Sequence, residues 1–318
     1  MKVIAFSCLF AALFLLTQCH APAAATMTNK PIEKSKPVIG FNGKKHYPIA
    51  EAPAVRHKKD SLLAIARQHY DQNPDNLDNI IWLGRRTAYL GNFREAVDIY
   101  SRGIEKFPDA PELYRHRGHR YLTLRKPDLA IADFEKAAQL AADRPIQIEP
   151  DGIPNAINQP LSNLQFNIFY HWGLAYYFKG DFDAAAQTFE KCMDYSINSD
   201  LIVANVDWLY RALRRAGRPD DAVAWLRYVD PEMKIIENAA YFDLLLMYKG
   251  MLPEAELLPA NPDTARLDFV TKAYGLGNYF LVNGQTEAAK ALFQKILDTD
   301  YWTAFGYIAA EADMARGL

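Results

Sequence analysis

Six alanines, Ala96, Ala130, Ala185, Ala222, Ala255 and Ala289, are separated by 34, 55, 37, 33 and 34 residues. Self-similarity at a fixed period constrains a fold more tightly than composition does, because each unit must bury its apolar face against the next. The stretch FYHWGLAYYFKGDFDAAAQTFEKC, Phe169 to Cys192, shows what one unit contains. Phe169, Trp172, Gly173 and Tyr176 fall at i, i+3, i+4 and i+7, one stripe of a helix. Lys-Gly-Asp then ends that helix at Gly180, where a left-handed backbone is easily accommodated. Phe182, Ala185, Phe189 and Cys192 form the stripe of a second helix. Two short helices joined by a tight turn cannot bury both stripes alone, so the unit needs copies of itself.

The copies are present. The first supplies Ile80, Leu83, Gly84, Gly91, Phe93, Ala96, Tyr100 and Pro108; the second supplies Tyr114, Gly118, Tyr121, Ala130, Phe134 and Ala137. A unit near the C-terminus supplies Leu276, Gly277, Phe280, Gly284, Ala289 and Phe293. LYRALRRAGRPDDAVAWL and FDLLLMYKGMLPEAELL are degenerate units between them. Trp302, Phe305, Gly306 and Ala309 read as a first helix without a partner, and Ser61 to Tyr70 as a helix preceding the first full unit. This pattern, large-x2-large-small, then Gly-x-aromatic, then Ala-x3-aromatic, resembles the tetratricopeptide repeat (TPR) over residues 60 to 316. The resemblance implies an all-α fold, a right-handed α-solenoid of six helix pairs closed by a helix over Trp302 to Arg316, with essentially no sheet. Gly84, Gly118, Gly173, Gly277 and Gly306 are expected to let the first helix of each unit approach a neighbouring helix closely.

One interval exceeds the period by 21 residues. The excess is DRPIQIEPDGIPNAINQPLSN, Asp143 to Asn163, whose prolines at 145, 150, 154 and 160 preclude a helix pair. A loop this long inside a compact array is functional or disordered. Ile146, Ile148, Ile153 and Ile157 favour a loop packed against the solenoid.

The N-terminus reads as an export signal over residues 1–19: Lys2, then an apolar run from Val3 to Leu16. Two exits compete. Leu16-Thr17-Gln18-Cys19 resembles a bacterial lipobox, in which Cys19 is acylated, although Gln18 departs from the small residue expected there. Ala23-Ala24-Ala25 is a small-x-small site for ordinary cleavage. Residues 20–57, with several prolines and lysines, read as a flexible spacer before a repeat array over 58–318. Cys8 lies in the signal, which leaves Cys192 as the one thiol of the folded part; it has no partner for a disulfide and sits where a small core hydrophobe is expected. The expected location is the cell envelope, as a lipoprotein facing the periplasm or as a soluble exported protein.

In the family resembled, fixed positions of each first helix line the concave surface. Transferred here, they are Arg85; then Arg115, His116 and His119; then Asn167, Tyr170, His171 and Tyr177; then Asp207, Trp208, Arg211 and Arg214. The expected groove is basic, aromatic and rich in imidazole, although the chain carries a net charge of −2. Such a groove attracts an anionic protein or peptide partner, while the overall charge argues against nucleic acid. The family's carboxylate clamp of Lys and Asn is not carried over, since Ile81 and Arg85 stand at its first-unit positions. His116, His119 and His171 lie near one another, but arginines flank two of them, and neither metal nor cofactor is expected. No HExxH, GxSxG, Walker loop or dinucleotide fingerprint is present. Three readings follow: a non-enzymatic binding scaffold, an accessory or catalytic subunit with loop 143–163 over the histidines, and a structural spacer. Missing catalytic motifs favour the first over the second, and groove charge favours it over the third.

Overall fold

The computed structural model describes residues 36–259 and 266–318. The apolar signal, Cys19 and Ala23 to Ala25 lie outside the described residues. Fourteen helices follow a two-stranded hairpin. The hairpin pairs β1 (Val38–Ile39) with β2 (Lys45–His46), Val38 opposite His46. Residues 36–57 are therefore not a featureless spacer, because α1 (Pro53–Gln72) already starts at Pro53, the fixed φ of proline suiting a first helical turn.

Six pairs follow: α2 (Leu77–Tyr89) with α3 (Phe93–Lys106), α4 (Pro111–Thr123) with α5 (Pro127–Ala141), and α6 (Leu164–Lys179) with α7 (Phe182–Cys192). Then come α8 (Ser199–Arg215) with α9 (Pro219–Trp225), α10 (Ala239–Tyr248) with α11 (Glu254–Leu257), and α12 (Arg266–Val282) with α13 (Thr286–Leu297). α14 (Phe305–Arg316) closes the series. Each first helix also packs on the first helix of the next unit, α2 on α4 and α4 on α6. This is the α-solenoid. Helix starts are chemically marked: Asn76, Asn163, Asp181 and Asn198 each accept a hydrogen bond from a first-turn N–H.

The small-residue code has a specific physical content. A Cβ built on Gly84, Gly118, Gly173 or Gly277 would lie 2.4, 2.9, 2.6 or 2.5 Å from Tyr100, Phe134, Phe189 or Phe293, respectively. In each unit the glycine of the first helix receives the aromatic edge of its own second helix. Gly306 differs: its Cβ would meet the backbone oxygen of Val270 at 2.6 Å, so only there does the glycine admit a neighbouring helix's backbone. Ala96, Ala130, Ala185, Ala222 and Ala289 have no exposed surface, whereas Ala255 is exposed, because α11 is a single turn and buries Leu257 instead.

The proline-rich segment is a loop, as expected, but its isoleucines do not hold it down. Ile153 is 73 % exposed, and Ile146, Ile148 and Ile157 are exposed too. Polar contacts anchor the loop instead. Glu149 N–H donates to Ser162 O and Leu164 N–H to Gln147 O, closing its base. Gln165, buried, accepts from Gln147 N–H and donates to Pro145 O.

The closing helix is enclosed over most of its length. Gly306 to Asp313 are buried without a break. α14 packs on α12 and α13, as a next repeat would, and also on α6, three pairs earlier. Glu311 accepts from His46 Nε2 at 2.7 Å, Arg125 Nε at 2.7 Å and Phe41 N–H at 3.1 Å. Burial raises the Glu311 carboxyl, but these donors outweigh it and leave its pKa below the usual range. Asp313 accepts from Tyr274 and Arg215. The end of the array is thus fastened to its beginning.

Candidate functional site

The inner faces of α2 and α4 carry Arg85 and Arg86, then Arg115, His116, His119 and Arg120. Loop 142–163 lies across them. Arg85 donates to Pro150 O and Arg86 to Gly152 O, each at 2.9 Å, and both guanidinium groups cover the Trp82 ring. Gly152 rests on Tyr89 so closely that a Cβ would coincide with the phenol oxygen. The buried Glu149 carboxylate meets Arg115 Nη2 at 2.9 Å and lies 3.7 Å from His116 Nε2, and Asn167 Nδ2 donates to it. Among the described residues it is the single carboxylate in ion-pair contact with any of the four arginines.

The imidazoles are neutral. Arg115 Nη1 donates to His116 Nδ1 at 2.9 Å, which requires that nitrogen to be an acceptor. His171 donates from Nδ1 to Asn167 O. The His119 and His171 rings lie with centres 4.4 Å apart, tilted by 35°. Burial first, then Arg115 and Arg120 nearby, hold all three well below the usual imidazole range. Among the described residues no group of three His, Cys, Asp or Glu is arranged to hold a metal ion.

The residues expected in the groove therefore divide. Arg85, Arg115, His116, His119, Asn167 and His171 gather beneath the loop, as one cluster. Tyr170 donates to Tyr241 Oη at 3.3 Å. Tyr177 and Arg211 have no exposed surface and do not line an open groove. Tyr177 donates to Asn278, and its hydroxyl lies 2.9 Å from that of Tyr274, which donates to Asp313. Arg211 touches Asp207 one turn earlier and lies between the Trp208 and Tyr274 rings. Burial raises the Asp207 carboxyl to about 6 against the pull of Arg211. These residues became core because α8 and α12 meet across the inner side, a contact absent from the repeat pattern. Sequence reasoning missed Glu149, Arg86 and Arg120. Arg120 stood in HRGHR but was read as a neighbour of the histidines, and Glu149 in IQIEP was overlooked among the isoleucines.

Two tetratricopeptide-repeat family models match, one over residues 83–145 and one over 166–196. Over these two stretches the chain carries tetratricopeptide repeats. The matched stretches are α2 to α5 and α6 to α7, three of the four units in which the glycine–aromatic pairing is intact. No curated protein matches this sequence. Among solved structures, YrrB, described as a TPR protein with an unusual peptide-binding site, is 14 % identical, with 80 % of this chain and 98 % of that one covered and a TM-score of 0.42. PilW, a type IV pilus biogenesis factor, is 14 % identical over 78 % of this chain and 94 % of its own, TM-score 0.44. MamA is 16 % identical over 56 % and 93 %, TM-score 0.42. TPR arrays are typically non-enzymatic scaffolds for protein interaction.

Proposed function

We propose that this chain is an exported, envelope-facing scaffold that binds an acidic segment of a protein partner on the inner faces of α2 and α4. One observation carries the reading: four arginines converge there and a single described carboxylate, Glu149, pairs with any of them. Like charges held together repel, and a partner of opposite charge relieves that cost. Glu149 occupies the place that an acidic side chain of the partner would take. The lipobox-like Leu16-Thr17-Gln18-Cys19 motif supports attachment to a membrane through Cys19, with the array reaching into the periplasm.

The test is capture of a partner from envelope extracts by the mature chain, followed by calorimetry at low and high salt. Affinity is expected to fall as salt rises, because exposed charges are screened beyond about 10 Å at 0.1 M. Arg115→Glu should weaken binding and Glu149→Gln should strengthen it. A salt-independent affinity, unchanged in Arg115→Glu, removes this face as the binding site. For the anchor, labelled palmitate incorporated by the wild type and lost in Cys19→Ser supports acylation; soluble release of the wild type with Thr26 at its N-terminus overturns it.

A further inference from the structure

A cavity of about 540 Å³ lies where the segment after the hairpin, the start of α1, the ends of α2 and α4, the loop tip at Ile153 and the residues before α14 converge. Its volume is that of a site for a small organic molecule or a few side chains. The walls are mixed: Ile49, Val55, Tyr89 and Trp302 on the apolar side, and Arg120 among the polar ones.

Arg120 is the unusual member. It is half-buried, and among the described residues it makes no hydrogen bond and no ion pair. Its guanidinium carbon lies 5.8 Å from the centre of the Phe93 ring. Burial lowers its pKa, and Arg115 and Arg85 add to that against the phenols of Tyr100 and Tyr89. Arg115, Arg125, Arg211 and Arg215 meet the carboxylates of Glu149, Glu311, Asp207 and Asp313, and Arg85 and Arg86 donate to loop carbonyls. At the rim, Lys59 contacts Glu51 and Arg56 contacts Asp60. A guanidinium that lines a cavity without a protein partner is free to hold a carboxylate with two parallel hydrogen bonds.

We propose that this cavity is a receptor site for a carboxylate carried on an apolar body, with Arg120 pairing the carboxylate and Tyr89, Trp302, Ile49 and Val55 enclosing the rest. The chemistry is shared by a free organic acid and by an acidic residue flanked by apolar ones in a peptide. The second source rests on the scaffold reading above; the first does not.

The test uses the full chain and two probes: phenylacetate with its neutral analogue phenylacetamide, and the end-blocked peptide Gly-Glu-Phe-Gly. Binding is read by calorimetry and by tryptophan fluorescence, since Trp302 lines the cavity. Phenylacetate should bind at least tenfold more tightly than phenylacetamide, and Arg120→Met should abolish that preference. Because Arg120 has no described counter-ion to orphan, Arg120→Met should keep or raise the melting temperature, so lost binding is not lost folding. Competition between peptide and phenylacetate assigns the site to an acidic peptide; phenylacetate binding without competition keeps the receptor and removes the peptide source. Equal binding of acid and amide, binding of neither, or a preference that survives Arg120→Met overturns the proposal.

Discussion

At the scale of single residues, the glycine–aromatic pairing makes a quantitative demand. A Cβ on Gly173 would lie 2.6 Å from the Phe189 ring, and that ring has no exposed surface, so it cannot retreat. Gly173→Leu should cost at least the 1–3 kcal/mol typical of overpacking. Gly180 has φ +84° and ends α6, so alanine there is strained by roughly 1–2 kcal/mol, but the atom nearest its Cβ is the flexible Arg316 side chain. Melting temperatures should rank wild type, Gly180→Ala, Gly173→Leu; equal values for the two variants would remove the pairing as the reason for glycine. The buried imidazoles set a pH dependence. Their pKa values are depressed below the unfolded value of about 6.5, so below that pH the unfolded chain binds more protons and stability falls as pH falls. Asp207, raised to about 6 by burial, works in the opposite direction, as do the carboxyls of Asp133 and Asp151, which burial also raises. Melting temperature should drop from pH 7 to pH 5, with a shallower slope in His116→Asn. A flat profile would mean that the imidazoles are hydrated. These residues were legible because a repeat prints its packing rule several times. Glu149 and Arg120 were not, since their partners are set by a loop that occurs once.

At the scale of elements, the sequence disclosed every helix that follows the repeat and misjudged those that depart from it. Asn163 and Asp181 mark helix starts locally, and so α6 and α7 could be read from their own residues. α14 could not be understood that way: its apolar pattern says helix, but nothing local says what covers it. Its surroundings come from Arg125, His46 and Phe41, between 186 and 270 residues away in sequence. The loop isoleucines misled for the complementary reason, because hydrophobicity suggested an anchor where Glu149, Gln165 and the Arg85 and Arg86 contacts supply it. A prediction belongs here. Glu311→Ala leaves Arg125 and His46 buried without their carboxylate, and breaking a buried pair costs about 3–5 kcal/mol. Chemical denaturation should show that loss for Glu311→Ala and a much smaller one for Glu287→Ala, whose pairing with Lys290 is exposed. Equal effects would mean that α14 is held by apolar burial alone.

At the scale of the whole folded unit, residues 36–318, the fastening of end to beginning changes how the array should behave. An open solenoid is quasi-one-dimensional: each repeat contacts its neighbours, and damage at one end stays near that end. Here α14 touches α6 as well as α12 and α13, and Glu311 bonds the hairpin and the turn between α4 and α5. Trp302 carries the same link, with Nε1 donating to Tyr47 O and the ring stacked on His46 at 5.3 Å. The two ends therefore share contacts that neither can keep if the other opens, and local opening energies in α2 to α5 should depend on a residue near the C-terminus. Glu311→Gln keeps the shape of the side chain and removes its charge, so it weakens the fastening without emptying the site. Native-state hydrogen exchange of this variant should speed up in β1, β2, α4 and α5 as well as in α14, and by similar factors, because one contact set is lost to both. Faster exchange confined to α12, α13 and α14 would show that the repeats open independently and that the contact between the ends is incidental. The same coupling bears on binding, since the cavity at Arg120 is walled by both ends of the unit. A carboxylate bound there should slow exchange in α1 and α14 together, a pattern that a ligand held on an open, independent repeat would not produce.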